Sequence, residues 1–112
     1  MFKITKTDSY VWPVSLQMPA NGGKFTTHTF DVKFKRLSKA DVDVLRGQLF
    51  QDDADAAAVV RGLVVGWSGI EDDAGEIPFS ENALDNVLDI QGVAPAIIVA
   101  FFNSVTGAPR KN

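Results

Sequence analysis

Cysteine is absent, so disulfides, thiolate metal sites and a cysteine nucleophile are excluded. That suits a reducing cytoplasm. Positive charge is in deficit: 11 Lys and Arg stand against 14 Asp and Glu, for a formal net charge of −3. Such a balance gives no long-range attraction for phosphate backbones or anionic lipid. A long apolar run is missing too. The longest stretch, residues 93–102, is half of the roughly 20 residues a membrane-spanning helix requires. The N-terminal Met1-Phe2-Lys3-Ile4-Thr5-Lys6 lacks the apolar run and small-residue cleavage site of a signal peptide. No internal repeat or low-complexity segment is present. The expectation is a soluble, cytoplasmic protein that needs neither membrane nor nucleic acid.

What is there reads as one globular domain over residues 1–112, with 46% hydrophobic and 22% charged residues. A chain of this length buries roughly two-thirds of its unfolded surface, enough for one modest core. Over residues 10–18, Tyr10, Trp12, Val14, Leu16 and Met18 alternate with Val11, Pro13, Ser15 and Gln17, the period of a strand with one buried face. Pro13 cannot donate a ladder hydrogen bond, which points to an edge strand. Pro19-Ala20-Asn21-Gly22-Gly23 supplies turn chemistry. A second strand follows over residues 24–37, with Phe30, Val32 and Phe34 on one side and Thr29, Asp31, Lys33 and Lys35 on the other. An antiparallel hairpin is the simplest reading, and it needs a cover.

The cover is the helical remainder, residues 38–107. Ser38 has the form of a helix N-cap, with Val42, Leu45 and Leu49 behind it at helical spacing. Asp52, Asp53 or Asp55 opens a second helix carrying Ala57, Val60, Val64 and Trp67, its acidic start matched to the helix dipole. Residues 59–65 also suit a strand, because Gly62 and Gly66 weaken the helix. A loop turning near residues 72–75 leads to Ser80, the cap of a short helix with Leu84, Val87 and Leu88 on one face. Gly92 breaks the chain, and a last helix runs from near Ala94, with Pro95 in its first turn, to Gly107. Residues 108–112 read as a frayed tail. Strands first and helices afterwards define an α+β fold, a hairpin packed on three to four helices.

No chemistry-bearing motif emerges. His28 is the only histidine and sits among threonines without a triad partner, so it reads as an exposed or pairing strand position. Asp52, Asp53 and Asp55, and then Glu71, Asp72, Asp73 and Glu76, lack calcium-loop spacing. They read as a helix start and a solvated turn. Gly62, Gly66 and Gly69 are too widely spaced for a phosphate cradle. Lys33-Phe34-Lys35-Arg36 has the alternation of a single-strand nucleic-acid platform, but the acidic balance favours a solvated strand face. The last helix is the anomaly. It is apolar on nearly every side over residues 93–102, as in a helix buried all round or lying in an interface. Phe101 and Phe102, roughly 100° apart on it, face different neighbours.

Phe30-Asp31-Val32-Lys33-Phe34, then Val65-Gly66-Trp67-Ser68-Gly69-Ile70, Asp73-Ala74-Gly75 and Ile77-Pro78-Phe79-Ser80, followed by an apolar helix and a tail ending Lys111-Asn112, resemble the tail assembly chaperones of siphophages and prophages. The resemblance covers residues 30–112 and is best over residues 67–88. It implies a non-catalytic protein without cofactor or metal. Such a protein binds the tape measure protein, recruits major tail tube protein subunits around it, and leaves before the virion is complete. It implies residence in the bacterial host cytoplasm and a homo-oligomer; in many phages of that family a programmed frameshift near the end of the gene also makes a longer version. On this reading Trp67, Phe79, Phe101 and Phe102 contact partners or other copies, although Trp67 and Phe79 equally suit a packed loop base. The competing reading is a structural tail component, a tube or connector subunit retained in the virion. A small enzyme comes third.

Overall fold

The computed structural model describes residue 2, residues 7–51 and residues 53–107. The tail over residues 108–112 and Asp52 lie outside the described residues. The alternating segments form β1 (Ser9–Ala20) and β2 (Lys24–Lys35), an antiparallel hairpin in register from Ser9 opposite Lys35 to Ala20 opposite Lys24. Its turn needs Gly22 and Gly23, whose φ values of 82° and 75° are strained for residues bearing a Cβ. Val14, Leu16, Val32 and Phe34 face inward and are buried, while Val11, Asp31, Lys33 and Lys35 face water. β1 is an edge strand, as Pro13 requires.

Ser38 caps α1 (Lys39–Leu49), its Oγ accepting the Asp41 amide at 3.2 Å. Asp55 caps α2 (Ala56–Leu63), one carboxylate oxygen accepting the Ala57 and Ala58 amides at 3.1 and 3.3 Å. Here the helical expectation is corrected. The helix stops at Leu63, and Val64 and Trp67 belong to a third strand, β3 (Val64–Ser68). β3 pairs antiparallel with β2, placing Val32 opposite Trp67 and Asp31 opposite Ser68, in the order β1-β2-β3. The strand reading of residues 59–65 holds only from Val64 onward: β-branched Val64 and Val65 and aromatic Trp67 suit a pleated surface, and the free side of β2 offers them a ladder.

The acidic turn is a tight hairpin of β4 (Glu71–Asp72) and β5 (Gly75–Glu76). Ser80 then caps α3 (Glu81–Leu88), accepting the Ala83 amide at 3.1 Å. α4 (Val93–Thr106) begins after Gly92 and ends at Gly107, both left-handed at φ 89° and 72°. α3 and α4 meet at 105°. Among the described residues no single helix is long and apolar enough to cross a membrane.

The core forms where α4 packs on β1 and meets α2 and α3. Phe34 and Phe101 meet edge-on with centroids 5.3 Å apart, within a cluster that includes Val14, Val32, Val60, Leu63 and Ile97. Burial of such side chains, at about 1.5–3 kcal/mol each, is the main driving force of the fold. The architecture is α+β: a sheet begun by an N-terminal hairpin, covered by four helices among the described residues.

Candidate partner-binding site

Trp67 projects from β3 and is half-buried. Its ring meets Phe79 at 5.0 Å and 84°, and its indole N–H donates to the Ile77 carbonyl at 2.8 Å. The Ile77 amide in turn donates to the Ile70 carbonyl at 2.8 Å. The pair therefore clamps the base of the β4–β5 hairpin. Gly69, at φ 83° and with the Phe30 backbone 3.6 Å from where its Cβ would stand, completes the clamp. Trp67 and Phe79 thus pack against each other and keep only part of their surface for a partner.

Phe101 and Phe102 divide. Phe101 is fully buried, held edge-on between Phe34 and Phe102 at 5.3 and 5.4 Å, so it offers no surface to a partner in this conformation. Phe102 is half-buried, and the Arg46 guanidinium lies 5.3 Å from its ring centre, a cation over a π-face. Of the two readings of residues 93–102, burial within the chain accounts for one side of the helix, and only the other side is left for an interface. Val93, Ala94, Ile97, Ala100 and Phe101 are buried within the one chain, and Val99 alone of its large apolar side chains stands mostly in water, 59% exposed. The outer side of α4 carries Ile98, Val99, Phe102 and Val105, all apolar and at least partly accessible.

A cleft of about 800 Å³ opens between β1, α1 and the end of α4. Tyr10, Trp12, Leu37, Val42 and Val105 form its apolar part, and Arg36, Lys39, Asp43 and Arg46 its charged rim. Arg36 stacks 5.0 Å above the Tyr10 ring and donates to the Thr7 hydroxyl at 2.9 Å. Asp43 accepts from Lys39 at 3.1 Å and from Arg46 at 3.4 Å. The Tyr10 and Ser104 hydroxyls bond at 2.6 Å, and Ser104 also donates to the Phe101 carbonyl. Sequence reasoning passed over this cleft because its residues come from three separated segments. The available signals were Tyr10 and Trp12 on the inward side of β1 and the cations at both ends of α1.

The remaining candidates resolve simply. His28 is exposed and bonds Thr26 through Nε2 at 2.9 Å. No group of three metal-ligating side chains converges among the described residues. Lys33 and Lys35 lie on the exposed side of β2 while Phe34 points into the core, so the strand does not present an aromatic between cations. Arg61 donates to Asp85 at 2.7 Å. That hydrogen bond, helped by the nearby carboxylate charges of Asp85 and Asp55, raises the guanidinium pKa above its ordinary value. The surface thus carries exposed apolar side chains and, beside β1, a cleft with an apolar floor and a charged rim. Comparison with family models, curated proteins and solved structures finds no match to this chain.

Proposed function

We propose that this chain is a non-catalytic tail assembly chaperone of a siphophage or prophage, which binds a tape measure protein and recruits tail tube subunits to it. The reading starts from the sequence pattern that runs through Trp67 and Phe79 to Ser80. The observation that carries it is the set of large apolar side chains left in water on several elements: Phe25 on β2, Val44 on α1, Phe50 (84% exposed) just after α1, and Val99 on α4. A holdase for a long apolar client needs many weak contacts distributed along it rather than one deep pocket, because coating by several copies combines small affinities.

The test is co-expression of the tape measure protein from the same phage or prophage, with and without this chain. The expected result is a several-fold rise in soluble tape measure protein and its co-purification with the chain. Unchanged solubility and no co-purification would overturn the assignment. Mass spectrometry of purified tails separates the chaperone from a tube or connector subunit: the chaperone is absent from finished particles, whereas a structural subunit is present in many copies.

A further inference from the structure

We propose that the unpaired edge of β2, near the tip of the β1–β2 hairpin, binds an extended and mostly uncharged segment of another polypeptide as an added strand. The inference concerns how a partner's main chain is held, and it stands whether or not the chaperone reading does. β2 pairs with β1 along its whole length, from Lys24 to Lys35, but β3 covers its other side only from Asp31 to Phe34. Gly69, left-handed at φ 83°, then turns the chain away beside Phe30. Residues 24–29 are all exposed, so the outer half of the hairpin stands as an arm with one flank left open.

The open flank has a definite chemistry. The Arg36 amide donates to the Asp8 carbonyl, which makes the even-numbered residues of β2 those bonded to β1 and turns the backbone of Phe25, Thr27 and Thr29 the other way. Among the described residues nothing bonds the amides or carbonyls of these three. They form a row of donors and acceptors at strand spacing, which the main chain of an extended peptide matches. Aromatic and β-branched residues suit such a strand, and between Phe25 and Thr29 neither proline nor charge blunts the edge. β1 differs. Both of its prolines, Pro13 and Pro19, stand at odd positions, with their nitrogens on its outer border.

The side chains of the arm narrow the occupant further. Over residues 15–30 Lys24 stands as the single Lys, Arg, Asp or Glu, so a partner strand gains most when it is uncharged apart from a carboxylate able to reach Lys24. Phe25, which is 65% exposed, shares the outer face with Thr27 and Thr29, and aromatic or β-branched residues of the added strand would lie directly across from them. A second copy of this chain fits less well. Two arms meeting edge to edge pair only over Phe25 to Thr29, because β3 occupies the flank from Asp31 onward. So short a contact falls below the ~1,000 Å² that holds two folded proteins together. An extended peptide needs only main-chain bonds to a strand already formed, and binds it weakly and reversibly.

Amide hydrogen exchange followed by nuclear magnetic resonance tests the proposal, with a short, end-blocked peptide that alternates valine and threonine and ends in glutamate. The expected result, at millimolar peptide, is at least tenfold slower exchange at Phe25, Thr27 and Thr29, with Thr26 and His28, which face β1, unchanged. Thr27→Pro removes the outward amide in the middle of the row without touching the β1 ladder. Circular dichroism establishes that it folds, and its affinity in a chemical-shift titration falls at least tenfold, whereas Thr27→Val binds as wild type does. The same peptide with N-methylated amides keeps its side chains but loses its donors, and does not bind; this arm leaves the protein unaltered. Unchanged exchange at the three amides would overturn the proposal, as would protection at Val11, Ser15 and Gln17 instead, on the border of β1. Protection that appears without peptide and rises with protein concentration would show two arms pairing with each other, and would overturn it too. So would a folded Thr27→Pro variant, or an N-methylated peptide, that binds at full strength.

Discussion

Replacing Phe101 by alanine removes a ring with no exposed surface from between two other rings, at 5.3 Å from Phe34 and 5.4 Å from Phe102. Deleting a buried phenylalanine costs about 3–5 kcal/mol, and edge-on aromatic neighbours each contribute roughly 0.5–1.5 kcal/mol beyond area alone. Two such neighbours place Phe101→Ala near the upper end, about 4–5 kcal/mol. Phe102→Ala removes a ring that is already half in water and gives up mainly its contact with Phe101 and the Arg46 cation, about 1–2 kcal/mol. A domain of this size holds on the order of 5–15 kcal/mol in all. With a urea dependence of roughly 1.5 kcal/mol/M, Phe101→Ala lowers the midpoint by about 3 M and Phe102→Ala by about 1 M. Urea titrations followed by far-ultraviolet circular dichroism, with tryptophan emission as a second probe of two-state behaviour, measure both. If Phe102→Ala destabilises as much as Phe101→Ala, the division of the two rings into a core member and a surface member is refuted.

Trp67→Phe keeps the ring packing on Phe79 but removes the donor to the Ile77 carbonyl, about 1 kcal/mol. Hydrogen exchange at the Ile77 amide is expected to quicken roughly fivefold, since that amide reports opening of the hairpin base. Ser80→Ala removes the oxygen that accepts the Ala83 amide and lowers stability by about 1 kcal/mol, whereas Ser80→Asp retains the cap; denaturation midpoints compare the two. Gly92→Ala meets only ordinary contact with Leu16, at 3.5 Å, but forces a side chain into φ 89°, at roughly 1–2 kcal/mol. A thermal melt should show a drop of about 5–10 °C, and a smaller one for Gly92→Asn.

Much of this fold was legible in local chemistry. The alternation across Tyr10 to Met18, the caps at Ser38 and Ser80, and the glycines bounding α4 each act within a few residues of chain, where sequence and backbone are directly coupled. The third strand was not legible in the same way. Val60, Val64 and Trp67 are spaced three and four apart, as on a helix, and only the vacant side of β2, some 30 residues earlier in the chain, converts the last two into a strand. The final helix shows the same limit. Its composition suggests more oily surface than a short chain can hide, yet the sheet, α2 and α3 take in Val93, Ala94, Ile97, Ala100 and Phe101 and leave Ile98, Val99, Phe102 and Val105 on a partly accessible outer side. Residue type alone does not disclose how neighbours distant in sequence share that work. The split between Phe101 and Phe102 follows from their angular separation, while which one turns inward depends on where Phe34 stands. The charged cleft was invisible for a related reason: Tyr10, Arg36 and Arg46 become neighbours only when the sheet and α1 meet.

Pro13 carries one last consequence. The Arg36 amide donates to the Asp8 carbonyl, and the alternation of an antiparallel ladder then gives the bonds toward β2 to the even positions of β1. The odd positions point their backbone outward, and there Pro13, opposite Asp31, has a ring where its neighbours have a hydrogen. A foreign strand laid along this border would find a rung missing in the middle of its run. A single absent proton thus interrupts main-chain pairing along the β1 flank, and a neighbour arriving there gains correspondingly more from side chains.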